Sequence, residues 1–571
     1  MAENHQDEDF TGHHAASLGT AKVRLAMVAA AFLLGYFAIT LRLADLTLLS
    51  TPSSPQLAQA QDVRPLAKPL RASLLDRNGE IMAASLAMAS LYADAGQIQD
   101  AKATAQELAA ILSDVSVKEL ETKLSSGKHF IWLARNITPK QEYAINALGN
   151  PALGFQQEER RIYPSERLAA HLTGYTDVDG RGIAGAEKFF EKQLAAGKEP
   201  VQLSVDLRVQ HILHRELAAS MKTFSAKAAT GVVMDVNSGE IIAAVSLPDF
   251  DPLKPKEASD DEKFNRLTLG VYEMGSTMKL FSTAAALDSG KVGMGAVFDA
   301  SEPIKYGRFT INDYHAKKRA MTVPEIFIYS SNIGTARMAQ ALGDNGLKDF
   351  YKRLGFFEAV PIELPERGSP LYPKPWRDIS TLTTSFGHGI AVTALHLVRA
   401  TAALANGGTL VVPTLLKGKK SLSPEPEGER VVKPQTSAQI RQLLELVVAS
   451  GTGSKAGVEG YNVGGKTGTA EKNTGGNYKH DLLLSSFIGV FPIESPRFAV
   501  LAMLDEPKPT KESYGYATGG WTAAPVVSRV VEQLAPLYRM APEEDTRPAV
   551  LQAMGKYMKE GIGRASAGTD R

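Results

Sequence analysis

The two residues whose types and spacing best suit nucleophilic catalysis are Ser276 and Lys279, at the start of an Ala- and Leu-rich segment that we predict to be a helix. Three residues along a helix is about one turn, so the lysine ammonium can reach the serine hydroxyl. A serine hydroxyl is a poor nucleophile until a base removes its proton, and a lysine can be that base only if burial or a nearby cation lowers its pKa. The pair is therefore a candidate nucleophile and general base.

A Ser-x-x-Lys pair is weak evidence by itself, since chance produces about one or two in a chain of this length. Ser125 and Lys128 form a second such pair, in a Gly-containing stretch typical of a solvated turn. Ser276 differs because Ser330-Ser331-Asn332 and then Lys466-Thr467-Gly468-Thr469 follow it. Separately, the first of these could cap a helix and the second could lie in a loop. The occurrence of all three motifs in this order favours a single catalytic site that contains them.

The bulk composition restricts the chemistry and the partners that this chain can have. With 571 residues it is long enough for about two or three globular domains. Its 63 Lys and Arg residues against 62 Asp and Glu give a formal charge of +1, which argues against a nucleic-acid partner. The absence of cysteine excludes disulfides, thiolate metal sites and cysteine nucleophiles.

An uncharged apolar stretch over Leu25–Leu41 is just long enough to span a membrane. Lys22 and Arg24 precede it, which predicts a cytoplasmic N-terminus and an exported body after about residue 49. The alternative is a cleaved signal peptide, because Ala58-Gln59-Ala60 has the small-x-small form of a cleavage site. That site lies far beyond the apolar stretch, so we favour an uncleaved anchor.

Patterning along the chain predicts two globular regions with tails. Two apolar strand pairs, Thr230–Val236 with Ile241–Leu247 and Ser485–Pro492 with Arg497–Leu504, predict an antiparallel sheet in the second region. Its long middle, about 260–460, is mostly helical in pattern, so the fold class is α+β, with helices around the sheet. The predicted segments are a tail over 1–22, an anchor over 23–49, a linker over 50–70, globular regions over 71–200 and 201–540, and a disordered tail over 541–571.

The three motifs resemble those of penicillin-binding proteins and serine β-lactamases, and flanking residues narrow the resemblance to class B penicillin-binding proteins. It covers about residues 20–540. In the first globular region the matching residues are Arg71, Asp76-Arg77-Asn78-Gly79, Arg161-Ile162-Tyr163-Pro164, Ala170-His171, Gly174-Tyr175, Gly182, Gly185 and Glu187. The sequence departs from the family at Met274 and Leu280, where proline is frequent. The resemblance implies that 71–200 is a pedestal domain of the dimerisation type and that 201–540 is a transpeptidase domain.

The resemblance also implies a role for each motif residue. Ser276 would be the nucleophile, Lys279 its base, Ser330 a proton relay and Asn332 a hydrogen-bonding group for the substrate amide. Lys466 would be a further catalytic residue, whose positive charge helps hold Lys279 neutral and attracts the substrate carboxylate. The substrate-binding residues would be Thr467 and Thr469 as hydroxyl donors, and Gly468, whose missing side chain lets a peptide lie close to the strand. The N–H groups of Ser276 and Thr469 would form the oxyanion hole.

Two further segments are candidates for the site. His388 is a rival general base, since histidine is the commonest one, although a triad would also need an orienting carboxylate. The glycine-rich stretch around His388 and Gly519-Gly520-Trp521 are predicted to shape walls of the site. The alternative for Trp521 is a buried structural tryptophan.

By resemblance, the chain is a septal peptidoglycan D,D-transpeptidase that needs no metal or cofactor. Its expected partners are stem peptides, nascent glycan strands, β-lactam antibiotics, a membrane glycan polymerase and division-complex proteins. Its expected location is the bacterial inner membrane at the septum, with a single span and a periplasmic catalytic domain. The alternatives are an elongation-type transpeptidase, a D,D-carboxypeptidase or β-lactamase-like hydrolase, and a non-catalytic penicillin-sensing scaffold.

Overall fold

The computed structural model of the chain describes residues 9–44, 69–307, 309–343, 345–418, 426–474 and 477–558. The chain divides into two units, residues 1–66 and 67–571. In the first unit, helix α1 (Asp9–Ala44) contains a span over Val23–Leu41 with mean hydropathy 1.9, long and apolar enough to cross a membrane. The predicted anchor over 23–49 thus coincides with this helix as far as residue 44. Residues 45–49, and the predicted linker as far as residue 68, lie outside the described residues.

The pedestal is a five-stranded sheet, as far as the chain is described, with helices packed beside it. Its elements in chain order are β1 (Leu74–Leu75), β2 (Ile81–Ala93), α2 (Ala101–Ile111), α3 (Val117–Leu124), β3 (Ile131–Ile137), α4 (Pro139–Asn146), β4 (Leu153–Ile162), α5 (Ala170–Thr173), α6 (Gly185–Phe189), α7 (Glu191–Ala195) and β5 (Val201–Gln202). β2 pairs antiparallel with β1, β3 and β4, whereas β5 pairs parallel with β1. The sheet is therefore mixed.

The pedestal helices begin where the sequence provides capping side chains. Asp100 accepts a hydrogen bond from the Ala103 N–H at the start of α2, and Ser116 accepts one from Glu119 N–H at the start of α3. Such caps satisfy backbone donors that a helix start leaves unpaired. The two helices then bury their apolar faces in one cluster with β2 and β3, which contains Leu91, Leu108, Leu120, Leu124, Leu133 and Ile137.

The remaining elements build the larger domain around an antiparallel sheet. The first group is α8 (Leu207–Thr223), β6 (Ala228–Asp235), β7 (Ile241–Leu247), α9 (Asp260–Lys263), β8 (Val271–Glu273), α10 (Met278–Asp288), β9 (Val297–Asp299), β10 (Ile304–Tyr306), β11 (Phe309–Ile311), β12 (Ala320–Thr322), α11 (Val323–Ile328), α12 (Asn332–Gln340), α13 (Gly346–Arg353) and α14 (Asp378–Ser385). The second group is β13 (Ala391–Thr393), α15 (Ala394–Ala405), β14 (Thr409–Val411), β15 (Gly428–Arg430), α16 (Pro434–Ser450), β16 (Gly464–Thr474), β17 (Asn477–Phe491), β18 (Phe498–Asp505), α17 (Gly519–Thr522), α18 (Ala524–Leu537) and α19 (Arg547–Gly555).

The main sheet of this domain has the strand order β16-β17-β18-β6-β7, and each neighbouring pair is antiparallel. This confirms the predicted α+β fold with an antiparallel sheet. Val233 packs into a cluster with α8 and α18, while the adjacent Val232 packs into the cluster with α10, α15 and α16. Because side chains alternate along a strand, both faces of the sheet are covered by helices, and β6 is buried along its whole length.

The prediction of a disordered tail over 541–571 was wrong for its first part. Helix α19 (Arg547–Gly555) packs against α16 and buries Val550 and Met554. The Thr546 hydroxyl also donates a hydrogen bond to Glu445 Oε1 at 2.5 Å. Two apolar residues four positions apart suffice to dock one short helix, and they give too weak a periodicity to predict it. Residues 559–571 lie outside the described residues.

Candidate active site

Ser276 lies in a 3-10 turn (Gly275–Thr277) that leads directly into α10. Gly275 has φ +53°, and a Cβ there would lie 2.5 Å from the Thr469 carbonyl oxygen, so only glycine allows this turn to approach β16. Ser276 is partly exposed, and its hydroxyl makes no hydrogen bond within the part of the chain that the structure describes. The turn thus presents an accessible hydroxyl beside the strand that contains the Lys-Thr-Gly motif.

Lys279 lies one helical turn after Ser276 and is buried, with 1% of its surface exposed. Its ammonium donates to the Ser330 carbonyl oxygen and to Ser330 Oγ, the latter at 3.1 Å. Among the described residues no hydrogen bond joins Lys279 Nζ to Ser276 Oγ, although the predicted helical spacing is present. The carbonyl and hydroxyl of Ser330 accept the hydrogen bonds of the ammonium instead.

Ser330 connects the two lysines of the site. Its Oγ accepts a hydrogen bond from Lys279 Nζ and one from Lys466 Nζ, each at 3.1 Å. Its backbone has φ +55°, which is uncommon for a residue other than glycine and costs conformational energy. This left-handed conformation directs both the carbonyl and the hydroxyl of one residue towards Lys279.

The Ser-Ser-Asn motif also caps a helix, as the alternative interpretation predicted. Ser331 Oγ accepts from the Gly334 N–H at 2.9 Å at the start of α12, and donates to Asp313 Oδ2 at 2.7 Å. The Ile333 N–H donates to Asp313 Oδ1 at 2.9 Å. Asp313 therefore fixes the motif from outside it, a role that no sequence signal indicated. The neighbouring Asn332 donates through Nδ2 to the Asn312 carbonyl at 2.8 Å.

The two buried lysines lack carboxylate partners within the described residues, where no ion pair includes either ammonium. Burial lowers the pKa of Lys466 from 10.5 to about 7. Burial also holds the pKa of Lys279 well below its ordinary value, and repulsion from Lys466 lowers it further while Asp313 opposes the shift. Lys279 therefore loses its proton more easily than an exposed lysine does, as a general base requires.

The Lys-Thr-Gly-Thr motif lies in β16, at one edge of the main sheet. The structure gives a second reason for glycine at position 468. A Cβ there would lie 2.3 Å from Ser486 Oγ and 2.7 Å from Thr277 Cγ2, so its missing side chain first makes room for the protein's own turn. Thr467 Oγ1 lies 2.7 Å from Thr452 Oγ1, and Thr469 Oγ1 accepts from the Gly519 N–H at 3.3 Å.

His388 lies at the site but without the partners of a triad. Its ring stacks on Tyr478 with centroids 4.9 Å apart, and within the described chain no carboxylate hydrogen-bonds to it. Burial lowers its pKa, and the charges of Glu471 and Lys279 act on it in opposite directions. The nearby Glu273 accepts from the Gly389 N–H at 2.9 Å and from the Tyr478 hydroxyl at 3.1 Å, and burial raises its pKa. Sequence reasoning gave no reason to select Glu273 or Tyr478.

The Gly519-Gly520-Trp521 segment packs directly against the motif strand. A Cβ on Gly519 would lie 2.6 Å from the Gly468 carbonyl oxygen, and a Cβ on Gly520 would lie 2.4 Å from that of Thr452. Both glycines are buried, but Trp521 is only partly buried. The segment therefore borders β16, and the tryptophan is not a fully buried core residue.

Comparison with protein families agrees with this geometry. The penicillin-binding protein transpeptidase domain matches residues 229–532, and the penicillin-binding protein dimerisation domain matches residues 66–217. The chain belongs to the class B penicillin-binding protein family. The recognised resemblance is thereby confirmed, together with the two-domain fold.

Relatives of this class B penicillin-binding protein include named transpeptidases. The probable peptidoglycan D,D-transpeptidase FtsI of Caulobacter vibrioides is 42% identical over 479 residues, which cover 82% of this chain and 81% of the relative. Peptidoglycan D,D-transpeptidase FtsI of Escherichia coli is 30% identical over 501 residues, covering 81% and 82%. A crystal structure of penicillin-binding protein 3 from Mycobacterium tuberculosis, complexed with ampicillin, has a TM-score of 0.66 at 23% identity, covering 84% of this chain and 97% of that one. The solved structure shows that the fold is shared.

The second Ser-x-x-Lys pair has none of these surroundings. Ser125 is the C-cap residue of α3 in the pedestal, and its N–H donates to the Glu121 carbonyl. The residue that follows it, Ser126, is exposed, as is Lys128. This pair is a surface turn, as the sequence predicted.

Proposed function

We propose that this penicillin-binding protein is a septal peptidoglycan D,D-transpeptidase that cross-links stem peptides through an ester of Ser276. The observation that supports this most is the buried pair of lysines, Lys279 and Lys466, joined by Ser330 Oγ beside an accessible Ser276 hydroxyl. Relatives with matching domains are named peptidoglycan D,D-transpeptidases.

In the first half-reaction Ser276 Oγ attacks the carbonyl carbon of the penultimate D-alanine, and neutral Lys279 takes the hydroxyl proton. The N–H groups of Ser276 and Thr469 stabilise the oxyanion. The bond to the terminal D-alanine breaks, and its amine leaves with a proton relayed through Ser330. An acyl-enzyme ester remains.

In the second half-reaction an acceptor amine attacks the ester carbonyl and forms the cross-link amide, while Ser276 Oγ leaves and regains a proton. Asn332 hydrogen-bonds the substrate amide, and Lys466 supplies the positive charge that attracts the substrate carboxylate, with Thr467 and Thr469 as hydroxyl donors. Gly468 has no side chain, which lets an extended peptide lie close to the edge of β16 and pair with it. A β-lactam undergoes the first half-reaction and stays attached.

We further propose that the Val23–Leu41 helix is a single inner-membrane anchor. Lys22 and Arg24 favour a cytoplasmic N-terminus, which places the pedestal over 71–200 and the transpeptidase domain over 201–540 in the periplasm. Tethering there raises the effective concentration of nascent glycan strands at the membrane. A membrane glycan polymerase and division-complex proteins are the partners that this role implies.

Labelling with a fluorescent penicillin tests the catalytic assignment. Ser276→Ala should abolish covalent labelling of the full-length chain, while Ser125→Ala should label like the wild type, because only Ser276 lies beside the buried lysines. Full labelling of Ser276→Ala would contradict the proposal. In dividing cells a fluorescent fusion should concentrate at the septum, and an even distribution along the side wall would favour an elongation-type enzyme instead.

A further inference from the structure

A partly exposed group of aromatic rings and one lysine lies beside the motif strand. It comprises Lys455, Tyr514, Tyr516 and Trp521, here called the Lys455–Trp521 patch. Lys455 Nζ lies 4.0 Å from the centroid of the Trp521 ring. The Tyr516 ring stacks on Trp521 with centroids 6.2 Å apart and planes 9° apart, and Tyr514 meets it at 5.6 Å. Tyr514 is 77% exposed and Tyr516 39% exposed, so the patch faces solvent.

Two short connections fix the patch next to the substrate-binding hydroxyls. Thr452, three residues before Lys455, lies with its Oγ1 2.7 Å from Thr467 Oγ1. Gly520, adjacent to Trp521, packs so closely that a Cβ on it would lie 2.4 Å from the Thr452 carbonyl oxygen and 3.7 Å from Thr467 Cγ2. The segments that carry Lys455 and Trp521 therefore both pass beside the side chain of Thr467.

The Lys455 ammonium is exposed, and within the described residues no carboxylate pairs with it. A cation above an aromatic face, with no internal counter-ion, is suited to a ligand that has both an anionic group and an aliphatic part. The aliphatic part can lie on the rings while the anion reaches the ammonium.

The reaction itself indicates which part of the substrate reaches this place. The amine of D-alanine leaves the same carbonyl carbon that the acceptor amine later attacks. The two amines therefore occupy the same position, on the side of that carbon away from the acyl chain. Thr467 and Thr469 would hold the carboxylate beside the leaving amine. The side chain of D-alanine is only a methyl group, whereas an acceptor whose amine-bearing carbon carries a longer aliphatic chain extends beyond Thr467.

We propose that the Lys455–Trp521 patch is an acceptor subsite: Trp521 and Tyr516 cover the aliphatic chain of the entering amine, and Lys455 pairs with a carboxylate farther along it. This inference rests on the proposed transpeptidase function and specifies its second substrate. The chemical step is unchanged: the acceptor nitrogen bonds to the acyl carbon, the ester bond to Ser276 Oγ breaks, and the proton lost by the amine returns to Ser276.

The test uses the full-length chain in detergent with a thioester donor, whose thiol leaves in place of D-alanine. The acceptors are D-alanine and three longer D-amino acids of similar length, which are D-α-aminoadipate with a distal carboxylate, D-norleucine with a neutral end and D-lysine with a distal ammonium. The wild type should prefer D-α-aminoadipate to D-lysine in kcat/KM. Lys455→Glu should shift that ratio by at least about tenfold towards D-lysine, because one charge changes from attraction to repulsion for both acceptors.

Two further variants separate the parts of the subsite. Lys455→Arg keeps the positive charge and should prefer D-α-aminoadipate to D-lysine as the wild type does. Trp521→Ala should lower kcat/KM for D-norleucine about fivefold relative to D-alanine, because aliphatic contact with the ring is lost. Lys118→Glu, on an exposed residue of α3 in the pedestal, is the matched control and should leave the acceptor ratio of the wild type.

The outcomes distinguish this inference from the proposed function. An enzyme that forms no acyl-enzyme with the thioester and transfers nothing to D-alanine would overturn both. A second outcome would overturn the acceptor subsite alone and leave the transpeptidase assignment intact. In it, Lys455→Glu acylates and transfers to D-alanine normally, and its ratio of kcat/KM for D-α-aminoadipate to that for D-lysine equals the ratio of the wild type.

Discussion

In the pedestal the buried Arg71 and Arg161 pair with a carboxylate, whereas in the proposed catalytic site the buried Lys279 and Lys466 form no ion pair within the described chain. In the pedestal, Glu187 is fully buried and receives Arg71 Nε at 2.6 Å and Arg161 Nε at 2.7 Å, and Arg71 also pairs with Glu191 at 2.8 Å. In the catalytic site, Lys279 and Lys466 share a neutral hydroxyl.

The difference shows that the residue type and its ion-pair partner determine whether a buried cation stays protonated. A guanidinium stays protonated, so it requires a counter-ion when buried, and its fork geometry suits a carboxylate. A lysine without a counter-ion loses its proton more easily, which the lowered pKa values of Lys279 and Lys466 reflect. The paired cluster joins distant segments of the pedestal, and the unpaired lysines have the lowered pKa that the proposed general-base role requires.

Replacing a lysine with an arginine should have its largest effect at Lys279, the proposed catalytic base. Lys279→Arg keeps a cation but cannot provide a neutral amine, so penicillin acylation should fall by about 100- to 10,000-fold. Stopped-flow or gel-based acylation rates measure this. The matched control is Lys254→Arg, at a side chain that is 61% exposed, which should acylate normally. An acylation rate within about twofold of the wild type would locate the base elsewhere, with His388 the next candidate.

Removing the carboxylate of the pedestal should have a large effect of a different kind. Glu187→Gln leaves Arg161 buried without a charge partner and Arg71 with only the partly exposed Glu191, which should lower the free energy of unfolding by about 3–5 kcal/mol. Thermal unfolding of the full-length chain measures the loss. The folded fraction should still be acylated by penicillin, because Glu187 does not touch the catalytic residues. Glu119→Gln breaks an exposed helix pair with Lys123 and should cost only about 0.3–0.5 kcal/mol. Equal effects of the two substitutions would show that the buried cluster contributes no more than a surface pair.

The sequence predicted those parts of the fold and of the proposed site in which short motifs and local patterns specify the structure. The strand Ile241–Leu247 was predicted with its observed bounds, because an apolar run between turn residues specifies it. The helical spacing of Ser276 and Lys279 was also correct, since it depends on one helix start. Both features are local in the chain.

The residues that were missed act through contacts between distant parts of the chain. Asp313, which lies between β11 and β12, hydrogen-bonds to the Ser-Ser-Asn motif. The Tyr478 hydroxyl on β17 donates to the carboxylate of Glu273 on β8. The bond between Lys279 and the Ser330 carbonyl depends on a left-handed backbone conformation of a serine, which no propensity favours. The sequence also did not show that the buried Arg71 and Arg161 pair with a carboxylate while the buried Lys279 and Lys466 do not, because these partners come from distant parts of the chain.

The smallest expected effect on stability has the opposite sign, because removing the buried ammonium of Lys466, a proposed catalytic residue, should stabilise the fold. Burial lowers the pKa of Lys466 from 10.5 to about 7, so between those pH values the unfolded chain binds more protons at this residue than the folded chain does. Stability of the wild type therefore rises with pH over that interval, and the penalty for burying the lysine is complete only below about pH 7. Lys466→Met removes the penalty while keeping a long apolar side chain.

We therefore expect Lys466→Met to raise the free energy of unfolding by about 1–3 kcal/mol at pH 6.5, while penicillin acylation is lost. The gain should shrink as the pH rises to 9, because the wild type recovers the stability that the variant already has. Thermal midpoints measured in parallel at several pH values test this, with Lys254→Met as the exposed control that should show no such trend. A midpoint for Lys466→Met below that of the wild type at pH 6.5 would mean that the hydrogen bond from Lys466 to Ser330 stabilises the fold more than burial of the lysine destabilises it. The catalytic and pedestal clusters would then differ in chemistry but not in their contribution to stability.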